Sequence, residues 1–248
     1  MGPIEQQLEQ QITEKGALFF ILLDPDSELP ENIITSGILA AQNGADAILI
    51  GGSFIGNPLF SKIVQEIKSK VDIPVILFPG GASQVSPGPD AILFTTLVSG
   101  RNPQFLIEEQ VRGAMLVKAY QMEPLPTAYM LIESGKTTSV EYISNTKPIP
   151  ADKPALAAIH ALAAQMMGQR WTYLEAGSGA INPVPLDFIK KVRSGCDLKV
   201  IVGGGIKAPE TAKERVEAGA HVIVIGNHFE TNKDGALFKE FSQAIHQK

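Results

Sequence analysis

TYLEAGSG (172–179), KVIVGGG (199–205) and HVIVIGN (221–227) succeed one another toward the C-terminus, each a short apolar run that breaks into glycine. The runs are nearly continuous in apolar residues, whereas a strand with one wet face would alternate. Strands of that kind are covered on both faces, as in a parallel sheet wrapped by helices. Working outward, the same unit recurs as ALFFILLD (17–24), AILIGGS (47–53), VILFPGG (75–81), AILFTT (91–96) and AYMLIES (128–134). Helical patterning fills much of the space between, at 104–121, 154–167, 186–192 and 207–220. In the last of these Pro209 suits a first turn and Gly219 a C-terminal cap. GADAILIGG (44–52) and GAHVIVIGN (219–227) echo each other as copies of one structural unit. About eight strands alternating with helices predict an α/β fold, a (β/α)8 TIM barrel. A doubly wound sheet is the runner-up and would use fewer strands at this length.

Two segments break the pattern. PGGASQVSPGPD (79–90) carries three prolines and is too short for a crossover helix, so the third helix is expected to be irregular or missing. SGKTTSVEYISNTKPIPADKP (134–154) reads as a long polar loop on the C-terminal face of the barrel, where such loops are usually functional.

Composition agrees with one barrel domain over residues 1–248, with residues 1–15 as an N-terminal helix. Of the 248 residues, 44% are hydrophobic and 19% charged, and the mean hydropathy is +0.09. That suits a large core and excludes a disordered chain. The charge of 21 − 26 = −5 argues against nucleic acid as a partner. A single cysteine, Cys196, excludes a disulfide framework and is read as an inert thiol. The opening MGPIEQQLEQQITEKG is no signal peptide, and the longest apolar run, 17–23, is too short to cross a bilayer. A cytoplasmic protein is the expectation.

In such barrels the chemistry lies at the C-terminal ends of the strands. Strand six ends in AGSGA, strand seven in GGG and strand eight in GN, so three small-residue loops succeed one another. Glycine lets a backbone N–H approach an anion closely, and phosphate-binding barrels use the loops after strands seven and eight. A tight turn would account for GGG alone; the three together favour phosphate. Asp24, in LLDPD after strand one, is either a helix cap or a Mg2+ ligand, and Ser53 after strand two either adds an oxygen or caps the next turn. Period two puts Tyr173 and Glu175 on one face of strand six and Leu174 on the other. The Glu175 carboxylate needs a basic partner or a substrate hydroxyl, and its place beside a phosphate loop favours the hydroxyl. His221 and His228 flank strand eight without metal-ligand spacing and are read as structural or solvated.

Taken together, LLDPD, IGGS, FPGG, YLEAGSG, VGGGI and IGN resemble the geranylgeranylglyceryl phosphate synthase family, including its relatives that make heptaprenylglyceryl phosphate. The motifs span 22–227, and the short third connection fits that family's barrel; Ser27 stands where members often carry Lys after DPD. The resemblance implies a Mg2+-dependent prenyltransferase that joins sn-glycerol 1-phosphate to a polyprenyl diphosphate through an ether bond. It implies that Asp24 and Ser53 hold the Mg2+. It also implies that Tyr173, Leu174, Glu175, Ala176, Gly177, Ser178, Gly179, Gly204, Gly205, Gly226 and Asn227 bind the glycerol phosphate. Glu175 and Tyr173 then orient the glycerol C3 hydroxyl, with Glu175 or a phosphate oxygen taking its proton. KPIP (147–150) is similar to the longer, archaeal-type branch and points to geranylgeranyl diphosphate.

The prenyl tail needs an apolar groove, placed around 105–120, including Leu116 and Tyr120, with Tyr129 and 140–143 nearby; ordinary helix packing is the alternative for each of these residues. A lipid substrate implies transient contact with a membrane surface. PALAAIHALAAQMMG (154–168) is a candidate interface for a homo-oligomer or simply a core-facing helix. Two further readings compete: another phosphate-binding barrel enzyme, a phosphosugar isomerase or thiamin-phosphate-synthase-like, and a barrel that binds a phosphorylated ligand without catalysis.

Overall fold

Parallel strands that are apolar on both faces need a core inside and a helix layer outside, and closing the sheet on itself supplies both. The structure is a computed structural model that describes residues 1–226, 229 and 235–248. Asn227 and His228 lie outside the described residues. The strands are β1 (Leu18–Leu23), β2 (Ala47–Ile50), β3 (Val75–Leu77), β4 (Ala91–Leu97), β5 (Glu123–Leu131), β6 (Trp171–Glu175), β7 (Lys199–Gly203) and β8 (Val222–Ile225). They form a closed barrel in chain order, all parallel, with β8 pairing back onto β1.

The helices are α1 (Pro3–Lys15), α2 (Pro30–Gln42), α3 (Phe60–Lys68), α4 (Glu109–Ala119), α5 (Ser139–Ser144), α6 (Pro154–Met166), α7 (Leu186–Gly195), α8 (Pro209–Glu217) and α9 (Gly235–Ile245). Alternate strand residues divide between two cores. Phe20, Leu49, Leu125, Tyr129, Trp171 and Tyr173 fill the barrel, while Phe19, Ile48, Leu174 and Val202 pack under the helices.

Helix α1 shuts the N-terminal end. Leu8 and Ile12 join the barrel core, and the N–H groups of Ile4 and Glu5 donate to the Glu123 carboxylate at 2.7 and 3.0 Å. The Glu5 carboxylate is fully buried and accepts from Arg170 Nε at 2.7 Å and from Trp171 Nε1 at 2.9 Å. Only the opposite end of the barrel is left open to a ligand.

The segment between β3 and β4 holds just a 3-10 turn, Ala82–Gln84, in place of a third crossover helix. Glu109 anchors it by accepting the Ala82 N–H at 2.6 Å.

Three expectations change. The stretch 104–121 begins as a π turn, Gln104–Glu108, before becoming α4. Gln110 Nε2 donates to the Phe105 and Thr95 carbonyls there, taking up acceptors near the wider turn.

Strand β5 starts at Glu123, five residues earlier than its apolar run suggested, and includes Pro124 and Pro126. The Pro126 carbonyl accepts from Arg170 N, so the even-numbered residues face β6, whose pairing begins only at Thr127. The prolines therefore sit where no ladder donor is needed.

The polar segment 134–154 contains α5 and a bridge between Ile132 and Ile149. It is built structure over the open end.

Candidate active site

At the open end, strand termini and loops surround a cavity of about 490 Å³. Asp24, Ser53, Tyr173, Glu175, Gly177, Ser178, Gly179, Gly204, Gly205 and Gly226 all line it. Residues from β1, β2, β6, β7 and β8 are thus brought to one space. Leu174 and Ala176, expected at the site, pack their side chains into the helix-facing core instead. The reason is the pleat, which turns alternate residues outward, so these two can offer a ligand only backbone. Asn227 falls outside the described residues.

Glu175 is the last residue of β6 and buried. Its Oε1 accepts the Gly177 N–H at 2.6 Å, and among the described residues no Arg or Lys pairs with it. Burial pushes its pKa up to about 7; the Gly177 N–H and the hydroxyls of Tyr173 and Tyr129 oppose that rise by favouring the charged form. Tyr173 Oη itself is buried without a well-formed hydrogen bond. The burial of both tyrosines, with the Glu175 charge nearby, holds their hydroxyls protonated well beyond neutral pH. Phe78 stacks on Tyr173 with centroids 5.2 Å apart, and Tyr129 lies 5.4 Å from Tyr173 and 5.8 Å from Phe78, so the three rings form one cluster. The rings fix the tyrosines and keep water from the carboxylate.

The GGG loop has a further duty beside these groups. A side chain on Gly203 would collide with Tyr173, and one on Gly204 would put its Cβ 2.6 Å from Glu175 Oε1 and 2.7 Å from Gly177 N. Gly204 also has φ +87°, which other residues rarely adopt. The triplet thus admits the acid as well as leaving backbone free for an anion.

Across the mouth, Asp24 Oδ1 accepts the Asp26 N–H at 2.9 Å and its carboxylate lies against Gly52. Partial burial raises the Asp24 pKa; the Asp26 N–H lowers it, and the Asp26 charge adds to the rise. Asp26 is a tie between loops, accepting from Gly56 N at 2.6 Å and Asn57 N at 2.9 Å. His221 is structural: its Nδ1 accepts the Val200 N–H at 2.8 Å, and burial with Arg193 and Lys199 nearby takes its pKa down to about 3.

The cavity extends away from the polar end along Val85, Ile92, Phe94, Phe105, Val140 and Ile143, beside the missing helix. Leu116 and Tyr120, expected to line a groove here, are not among its lining residues. Helix α4 starts at the open end and runs down the barrel, so only its first turns, through Gly113, reach the cavity. Tyr129 and Phe78 are what the sequence reading undervalued. Period two along β5, with Leu125 inward, was the available signal for Tyr129.

Residues 10–245 match the model of the PcrB family. The chain belongs to the PcrB family. Geranylgeranylglyceryl phosphate synthase of Korarchaeum cryptofilum is 42% identical over 240 residues, covering 96% of this chain and 98% of that one. The enzyme of the same name from Chitinophaga pinensis is 42% identical over 228 residues, covering 92% and 90%. Among solved structures, (S)-3-O-geranylgeranylglyceryl phosphate synthase of Thermoplasma acidophilum, in complex with its substrate sn-glycerol-1-phosphate, superposes with a TM-score of 0.92. It is 33% identical, and both chains are covered completely.

Proposed function

We propose that this PcrB-family chain transfers a polyprenyl group from its diphosphate to the C3 hydroxyl of sn-glycerol 1-phosphate. The observation that carries this reading is Tyr173 Oη, a buried hydroxyl without a well-formed bond beside a buried carboxylate. The pair sits where an apolar channel meets three glycine-rich strand ends. A buried polar atom calls for a partner, and a glycerol hydroxyl suits both groups. The phosphate of the same molecule is assigned to the backbone N–H groups of the strand-six loop at 178–179, of 204–205 and of Gly226. The hydroxyl oxygen attacks prenyl C1, a C–O bond forms, the C1–O bond to the diphosphate breaks, and pyrophosphate leaves. The hydroxyl proton passes to Glu175, whose pKa near 7 suits a base working at neutral pH.

Mg2+ fits the opposite side of the mouth. Asp24 offers a partly desolvated carboxylate, and Ser53 offers a hydroxyl on the same cavity. One carboxylate with one hydroxyl suits a cation that keeps waters and binds phosphate oxygens. When bound, Mg2+ offsets the charge that builds on departing pyrophosphate.

The channel, with the 147–150 segment, supports geranylgeranyl diphosphate as the donor. Among the described residues no helix is long and apolar enough to cross a membrane. We place the enzyme in the cytoplasm, touching membrane surfaces transiently to exchange lipid. Helix α6, after β5, buries Ala157, Ala161 and Ala164 and exposes Ile159 and Met166, and α4, after the neighbouring strand β4, exposes Val111 and Met115. That apolar flank supports a homo-oligomer, which light scattering reads directly.

The deciding assay is Mg2+-dependent pyrophosphate release from geranylgeranyl diphosphate, with glycerol 1-phosphate set against glycerol 3-phosphate. Product with the first acceptor is expected. A folded protein that makes product with neither acceptor overturns the reading.

A further inference from the structure

A phosphate monoester is nearly a dianion at neutral pH, yet the strand ends that would cradle it offer only neutral N–H groups. Glu175 and Asp24, both carboxylates, line the same cavity. A bound phosphate there calls for cations, and Lys207, just past the strand-seven glycines, lines the cavity and supplies one.

The loop from β5 to α5 brings a second. A Cβ built on Gly179 would lie 3.2 Å from Lys136 Nζ, so the ammonium stands directly over the strand-six glycine loop. That position is held by the backbone around it. Asn182 N donates to the Ser134 carbonyl at 3.1 Å, joining the two loops. Gly135, at φ +88°, makes the turn that precedes Lys136, and the Thr138 side chain occupies the space a side chain on Gly177 would need. Thr138 is itself buried. Among the described residues Lys136 has no carboxylate partner, whereas nine other Lys and Arg side chains do. An unpaired ammonium aimed over an amide cradle is placed to meet an anion.

We infer that Lys136 is a phosphate-binding residue that closes the glycerol-phosphate site from above the 177–179 loop. It adds a second positive charge to that of Lys207. The inference rests on the prenyltransferase reading for the identity of the phosphate ester. Helix α5 carries Val140 and Ile143 along the apolar channel, so the same loop touches the spaces assigned to both substrates. Lys136, at its start, stands at the strand-six glycine loop.

The test is calorimetric titration of sn-glycerol 1-phosphate into wild type, Lys136→Ala and Lys136→Arg, with KM measured separately for each substrate. The expected result is a 10- to 100-fold weaker affinity in Lys136→Ala, the usual range for one charged hydrogen bond, about 1.5–3 kcal/mol. KM for glycerol 1-phosphate should rise in parallel, KM for the prenyl diphosphate should stay constant, and Lys136→Arg should recover most of the loss. Wild type that binds while Lys136→Ala binds equally well overturns the role of Lys136. Equal rises in both KM values overturn it too, since they mark a general loop defect. Wild type that binds no glycerol 1-phosphate refutes the functional reading itself, a distinguishable failure.

Discussion

Replacing Glu175 with Gln should move activity and stability in opposite directions. The carboxyl is buried at the end of β6, and its pKa stands near 7 against an ordinary 4.5. If its ionised form takes the glycerol proton, kcat/KM falls about tenfold from pH 8 to pH 6, with a limb near pH 7. A carboxylate at its ordinary value would leave the rate nearly flat over that interval. Glu175→Gln removes the limb and lowers the rate by about 10²–10⁴, the usual contribution of a general base.

The stability consequence has the reverse sign. The unfolded chain releases this proton near pH 4.5 and the folded chain near pH 7, so stability is full below the lower value, declines as pH rises between the two and levels off above the higher one. A displacement of that size corresponds to roughly 3 kcal/mol, lost by about pH 8. Gln keeps an oxygen for the Gly177 N–H and carries no charge to desolvate, so the variant should resist urea better than wild type at pH 8 and match it at pH 4. Urea melts at both pH values, beside a pH–rate profile, test this. A flat wild-type profile from pH 6 to 8, or a variant that retains the limb, would refute the assignment of the base.

Asp24→Ala should lower turnover by orders of magnitude with a preserved circular-dichroism spectrum; near-normal turnover removes Asp24 from the mechanism. Val140→Trp or Ile143→Trp should shift preference from C20 toward C15 diphosphates, while Leu116→Trp leaves it alone, because only the first two line the channel. Competition assays with C15, C20 and C35 donors read this directly, and an unchanged preference in all three variants sinks the channel assignment. Glu5→Ala leaves Arg170 and Trp171 Nε1 without their buried partner, so unfolding in urea should lose about 3 kcal/mol. A loss below about 1 kcal/mol would mean that α1 contributes little to closing the barrel.

Much of this protein follows from its chain alone. Apolar runs without alternation point to strands covered on both faces, and eight of them with helices between predict the closed parallel barrel that the structure shows. The prolines of 79–90 forbid the third helix for a local reason, the lack of donors and fixed φ. Local sequence also marked the strand ends as the place for chemistry. It started the fifth strand at Ala128 and so left out Pro124 and Pro126, because whether a missing donor matters depends on where the neighbouring strand begins.

Only the tertiary structure could set Tyr129 beside Tyr173 and Glu175, across two strands paired in register. Only it could desolvate that carboxylate, since burial is a property of everything packed around a residue. The same holds for Lys136, a polar loop residue in the sequence that the folded chain carries over a glycine loop more than forty residues away. Periodicity fixes which face a side chain takes; closure of the barrel decides which faces meet.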